Sequence, residues 1–440
     1  MKKWILTKYR EMADGVVGLC KRILTKLSAV WDGTKGFARR HSRVIMLAIV
    51  NAVVVLVLSY LLNSIKYTFG NDLTIGQWVE CAKSLKDKTE AVPDSICLVN
   101  VAYDKSLMKY EALIDRLETF EYRDDVGHAA VTDRAKLLTF LNALDSVEYR
   151  YIMMDIRFEN GFEKDSVSSA LFRKISQMDR IVIAKHSNYQ IADENLDNKA
   201  ALGDYYTTFL VSTLVKYPTV NNDNSTIPGR MYEEQCGHKI KSHGLWWSDN
   251  GRLCYGSIFL TYPVRVTKWQ QAIAGESEEE TIYLPLYSNL GHDILNSEID
   301  FKEKFTNKII VIGDFVEDVH ETYVGRLPGA IINLNVYLAL VNGNHLVNWW
   351  WAIFLGLVYF AICLAIFKRT TIFNYVSFVR DTKSTTLRFV ISLLGYSTLL
   401  STIACCYYVF GDRFYSIVFP ALYFSILSAI VRYRYMKNNL

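Results

Sequence analysis

Polar residues able to do chemistry gather behind three apolar runs. ICLVNVA (Ile96–Ala102) is followed by Asp104, Lys105 and Ser106. YRYIMMDI (Tyr149–Ile156) carries Asp155 near its end, with Arg157 just beyond. KIIVI (Lys308–Ile312) opens into Gly313, Asp314, Glu317, Asp318, His320 and Glu321. Carboxylates and an imidazole brought together can hold a divalent cation or neutralise a cationic ligand. The same residues suit a plainer role, with Asp104 and Asp155 capping turns and helices and Glu317–Glu321 lying in solvated loop. Catalytic signatures are missing: there is no GxSxG, HExxH, GxxxxGK[ST] or GxGxxG. His238 and His243 stand near Cys236 without the spacing of a zinc site and read as surface residues. No catalytic residue, metal or cofactor is expected, and the chain is expected not to be an enzyme.

Positioning those groups requires strands. The three runs alternate with helical stretches at Asp133–Ser146 and Ser166–Met178, and a further run, Arg180–Ala184, completes a βαβαβ series. After Lys308–Ile312 comes a loop to Leu327, a helix over Gly329–Val341 and an Asn342-Gly343-Asn344 stop. This order predicts an α/β domain with a mostly parallel sheet and helices packed on it. Ligands of such sheets bind beyond the carboxyl ends of the strands. Asp104, Lys105, Ser106, Asp155, Arg157, Asp314, Asp318 and His320 are therefore the candidate ligand-binding set. Residues 187–307 interrupt the pattern. They are rich in Asn, Asp, Ser and Gly (Pro218–Arg230, Gly275–Glu280), with strand-like runs at Gly256–Val266 and Thr281–Leu286, and read as an elaborated insertion, partly loop.

The domain is expected to be tethered to a bilayer. Val44–Leu62 is apolar apart from Asn51, Ser59 and Tyr60. At ~1.5 Å per residue it can cross a ~30 Å hydrocarbon core. A cleavable signal peptide fits poorly, because the preceding region is too long and no small-residue cleavage site follows. Three more apolar runs, Trp349–Phe367, Phe389–Phe410 and Ser416–Val431, bring the expected spans to four. Residues 1–43 hold eleven Lys/Arg against three acids, the loop 368–388 five against one, and the tail 432–440 three against none. Residues 63–348 hold 29 basic and 40 acidic residues. Basic flanks stay cytoplasmic, so both termini are expected inside and 63–345 outside. The expected organisation is thus a basic amphipathic segment (1–43), spans at 44–62, 346–367, 389–410 and 416–431, the outside domain (63–345), an inner loop (368–388) and an inner tail (432–440). The basic residues all flank apolar spans, so no nucleic-acid partner is expected. No span holds Asp, Glu, Lys, Arg or His, which argues against a pump or proton-coupled carrier.

Four cysteines, Cys81, Cys97, Cys236 and Cys254, fall in the outside domain. An even number in an oxidising compartment predicts disulfides; proximity favours Cys81–Cys97 and Cys236–Cys254, with three connectivities open to four cysteines. Residues 1–43 carry an apolar stripe of Ile5, Tyr9, Met12, Val16, Leu19, Ile23, Leu27 and Val30 among basic residues. That pattern suits a helix on the inner leaflet or a short coiled coil between two copies. Gly395, Ser397, Ser401 and Ala404 would let spans approach closely, as in a homodimer.

Three stretches resemble one family, the second class of CHASE domains, outside-facing sensory domains of bacterial signalling proteins. AYDKSL (Ala102–Leu107) is similar to its opening motif. The helix Asp133–Ser146 with YRYIMMDIRFE (Tyr149–Glu159) is similar to its central motif. Lys308–Gly343, with Gly313, Asp318, His320, Pro328, Gly329 and Asn335, is similar to its closing motif. One span before the domain and three after it also fit. The resemblance implies a periplasmic ligand-sensing domain in a bacterial inner membrane, coupled through the spans to an output. The nine-residue tail holds no output domain, so a separate membrane or cytoplasmic signalling partner is expected. An envelope structural or assembly protein docking through 187–307 is the alternative.

Overall fold

The structure is a computed structural model that describes residues 42–67, 73, 94–110, 127–188, 190–206, 212–221, 224–260, 264, 287–370, 384–411 and 417–438. The amphipathic segment up to residue 41, Cys81, the run 281–286, most of the inner loop and most of the turn 411–415 lie outside the described residues. The chain forms two compact units. One is built on Leu58–Asn348 with Ser397–Phe419; the other takes the chain up to Val57, Trp349–Tyr396 and Pro420–Leu440.

In chain order the elements are α1 (Ser42–Ser64), β1 (Ile96–Asn100), β2 (Lys105–Lys109), β3 (His128–Thr132), α2 (Arg134–Ala143), β4 (Tyr151–Arg157), α3 (Ser166–Gln177), β5 (Ile181–Lys185) and β6 (Ala200–Leu202). The former insertion contributes β7 (Lys216–Pro218), β8 (Val220–Asn221), β9 (Asn224–Ser225), α4 (Ile227–Cys236), β10 (Ile240–Ser242), β11 (Trp247–Asp249), β12 (Arg252–Cys254), β13 (Ser257–Phe259) and β14 (Ser288–Asn289). Then follow α5 (Phe301–Phe305), β15 (Ile309–Gly313), β16 (Val319–Thr322), β17 (Gly325–Pro328), α6 (Gly329–Val341), α7 (Trp349–Lys368), α8 (Thr385–Gly411) and α9 (Val418–Asn438).

Six strands form one sheet in the order β14-β1-β15-β4-β5-β6, all parallel. Alternation along each strand sends side chains to two cores. Tyr151, Met153, Val182, Val311 and Leu98 face α4 and α6. Ile152, Met154, Ile183, Ile310 and Val99 face α2 and α3, where Leu137, Phe140, Leu171 and Ile175 pack. Parallel sheets need cover on both faces, which accounts for the near-continuous apolar strands. The helices start where the sequence supplies caps. Asp133 accepts from Ala135 N and Lys136 N at 3.0 Å, and Asp165 from Ser168 N at 2.6 Å.

The stretch read as an elaborated insertion takes part in the main sheet. β6 and β14 are the two edge strands of the main sheet, and α4 covers one of its faces. Short strands of two or three residues bury little on their own, so their periodicity is invisible until the sheet offers them an edge. Within the described part of the run Gly256–Val266 lies the three-residue β13, antiparallel to β7.

Among the described residues, three helical stretches are long and apolar enough to cross a membrane: Ser42–Ser64, Trp349–Lys368 and Thr386–Cys406. The chain is a membrane protein on that ground. The fourth expected span is also a helix, α9, but its apolar stretch ends at Arg432 and Arg434, and length and composition support three spans rather than four among the described residues. α1 buries Ala48, Ala52 and Val55 along one stripe and exposes Met46, Val50, Val53 and Val57, the division expected between a helix contact and lipid. Near its middle, Asn51 accepts from Tyr423 Oη at 2.6 Å.

Candidate functional site

β1, β15 and β4 are neighbours, so their carboxyl ends, which carry the candidate residues, lie side by side. Two different arrangements result.

At the end of β1 everything is saturated. Asp104 is 4% exposed. It accepts from Lys136 Nζ at 2.7 Å and from Gly291 N at 2.9 Å. Lys105 pairs with Asp314 at 2.7 Å, and Asp314 also caps the amides of Val316 (3.0 Å) and Glu317 (2.8 Å). Against the cost of burial, the ammonium and the two amides hold the Asp314 carboxyl below the ordinary carboxylate range. Ser106 lies in the β2–β3 hairpin opposite Val131. These contacts are those of a latch between strand end, loop and helix.

At the end of β4 the balance differs. The pairing of β4 with β5 slips between Met154 and Arg157, so Asp155 sits where the ladder is irregular. It follows Tyr151 and Met153 onto the α6 face. Asn333 Nδ2 donates to Asp155 Oδ2 at 3.0 Å and lies 3.2 Å from Tyr205 Oη; Tyr217 Oη donates to Asn333 Oδ1 at 2.8 Å. Asp318 and His320 come in from the β15–β16 loop and β16, 3.1 Å apart, and the His320 ring lies 4.2 Å from that of Tyr205. Gly329 closes the group. A Cβ there would stand 2.7 Å from Asp318 Oδ2, 2.8 Å from Tyr205 Oη and 3.1 Å from Asp155 Oδ2, so only glycine lets α6 begin here. Burial, then the neighbouring Asp318 carboxylate, push the Asp155 carboxyl up to about 7; Asn333 and His320 pull the other way.

These groups open onto a cleft of about 620 Å³ that Lys105, Asp155, Arg157, Asp314 and Asp318 all line, together with Glu159. Glu159 is 7% exposed; one of its oxygens lies 3.4 Å from Arg157 Nη2 and the other, Oε1, has no hydrogen-bond partner. The arrangement can accept hydrogen bonds and bind or release a proton at Asp155. Among the described residues no group of three or more His, Cys, Asp or Glu is placed to hold a metal ion.

Of the eight candidates, the structure brings Asp155, Asp318 and His320 together, places Asp104, Lys105 and Asp314 in the latch and leaves Ser106 in the β2–β3 hairpin; Arg157 lies between cleft and solvent. Tyr205, Tyr217, Asn333 and Glu159 were not singled out by the sequence. Asn333 left a trace there, one of two amides, with Asn335, in an otherwise apolar helix; Tyr205 left none.

The disulfide expectation is corrected. Cys97, Cys236 and Cys254 are free thiols, and Cys81 is outside the described residues. Cys254 is buried on β12 while Cys236 is exposed at the end of α4, so adjacency in sequence does not aim one sulfur at the other. His243 is exposed as expected, but His238 is half-buried and reaches a buried carboxylate. Asp249, 1% exposed, accepts from Tyr232 Oη at 3.0 Å and meets His238 Nδ1 at 3.2 Å and His345 Nε2 at 3.0 Å.

No protein-family model, curated protein or solved structure matches the chain.

Proposed function

We propose that this is a receptor of a bacterial inner membrane, without enzymatic activity, whose outside domain binds a small periplasmic ligand in the cleft at the carboxyl ends of β1, β15 and β4. The observation that carries the reading is the Asp155–Asp318 pair. A fold gains nothing from two facing carboxylates, one of which keeps its proton near neutrality; a ligand that satisfies them does. Kinship with the second class of CHASE domains belongs to the same proposal, supported by three motifs that fall at the ends of β1, β4 and β15. So do the four-span topology with both termini inside, a separate signalling protein reached through the spans, and pairing of two copies through the small residues of α8. The hydrogen bond from Tyr423 on α9 to Asn51 on α1 supports a fourth helix packed among the spans.

The test is a melting-temperature screen of the detergent-purified full chain against amines, amino acids and sugars, repeated on Asp155→Asn and Asp318→Asn. At least one compound should raise Tm in the natural chain and lose that effect in both variants. A shift that both variants keep would place the ligand elsewhere.

A further inference from the structure

The turn between β10 and β11 presents two large apolar side chains to the outside. Leu245 is 72% and Trp246 45% exposed. They are not loose. His243 N donates to Trp246 O at 2.8 Å, and the His243 ring stacks on that of Trp246 at 3.9 Å. Gly244, at φ 86°, makes the turn possible.

This turn is fastened to the last turns of α1. Trp247 N donates to Tyr60 Oη at 3.1 Å, Tyr60 Oη donates to Cys254 O at 2.9 Å, and the Tyr60 and Tyr255 rings are 5.5 Å apart. Neighbouring strands brace the same helix end. Ser257 Oγ reaches the carbonyls of Asn63 (2.6 Å) and Ile65 (3.1 Å), and Lys216 Nζ that of Leu62 at 3.3 Å. A cation on the final carbonyls also suits the negative end of a helix.

α1 is long and apolar enough to cross a membrane, and Tyr60 lies four residues before its end at Ser64. At ~1.5 Å per residue, Tyr60 is about 6 Å inside that end. Tyr and Trp settle at the membrane–water boundary. A turn bonded to Tyr60 is therefore held at headgroup depth, with Lys241 exposed beside it for anionic lipid.

We propose that the β10–β11 turn is a foot: Leu245 and Trp246 insert into the phospholipid headgroup region of the membrane that α1 crosses. The occupant is the lipid leaflet, and the foot fixes the height and tilt of the outside domain.

The experiment uses the full chain with Leu245→Cys, labelled with bimane and reconstituted into nanodiscs of phosphatidylethanolamine and phosphatidylglycerol. Signal is read as the difference from the unsubstituted chain treated identically, which removes labelling at Cys236 and Cys406. A lipid carrying a nitroxide high on its acyl chain should quench the label several-fold. Absence of lipid quenching overturns the proposal. Aqueous iodide then identifies the reason: an accessible label means a turn in water, a shielded one means cover by protein.

Discussion

Asp104 and Asp155 stand just beyond and at the carboxyl ends of two strands, β1 and β4, on either side of β15. Their surroundings are opposite. Asp104 has a lysine and a backbone amide on its two oxygens. Asp155 has one amide from Asn333 and a second carboxylate nearby. Buried polar groups cost free energy unless satisfied. The first end is therefore read as structure, the second as a site kept at some expense to stability.

That contrast can be broken in four ways. Asp104→Ala removes two charge-assisted bonds at a buried position and should destabilise the outside domain by about 3 kcal/mol, a little reduced because Lys136 can turn to water. Chemical denaturation of the detergent-purified chain would measure it; a loss no larger than that of a surface substitution would remove the latch. Next, Gly329→Ala drives a methyl into Asp318 and Tyr205. Overpacking of this kind costs about 2 kcal/mol, and any ligand response should vanish with it. Unchanged stability and response would mean that the carboxylates are not confined.

The third is a dependence on pH. Unfolded, Asp155 titrates near 3.9; folded, its carboxyl is pushed up to about 7. The folded state thus binds the proton more tightly. Its contribution to stability is full below the unfolded value and is lost as pH rises through about 7. Between pH 5 and 8.5 the natural chain should lose about 1–2 kcal/mol that Asp155→Asn does not, after allowance for solvent reaching the cleft. Parallel Tm curves for the two chains would show that the Asp155 carboxyl is not held protonated. Smallest is Arg157→Ala. The pair with Glu159 is long and its arginine half in solvent, although Glu159 itself is buried; it is worth about 1 kcal/mol, so Tm should fall only slightly. A large fall would give Arg157 a structural role beside the latch.

The architecture was legible where local periodicity is long enough to stand alone. The βαβαβ series and β15 fall within two or three residues of their expected bounds, and α6 spans Gly329–Val341 as expected. α1 and the α7 span were equally plain, because a run of uninterrupted apolar residues has few other solutions. The fourth span was only partly legible, since the charges at Arg432 and Arg434 fall inside its helix.

The chain's own residues, read in order, determined that a parallel sheet would carry polar groups at its strand ends and that the basic flanks would surround apolar spans. Tertiary structure alone decided what those groups became. Asn333 meets Tyr205 across 128 positions and Asp155 across 178, and nothing in either local pattern encodes that meeting. It also decided that β6 and β14 close the edges of the sheet, and that Cys236 and Cys254 stay apart. Periodicity is a property of neighbours along the chain, and sets elements. Which carboxylate finds a lysine and which finds another carboxylate depends on how the sheet and its helices pack, and so appears only when the chain has folded.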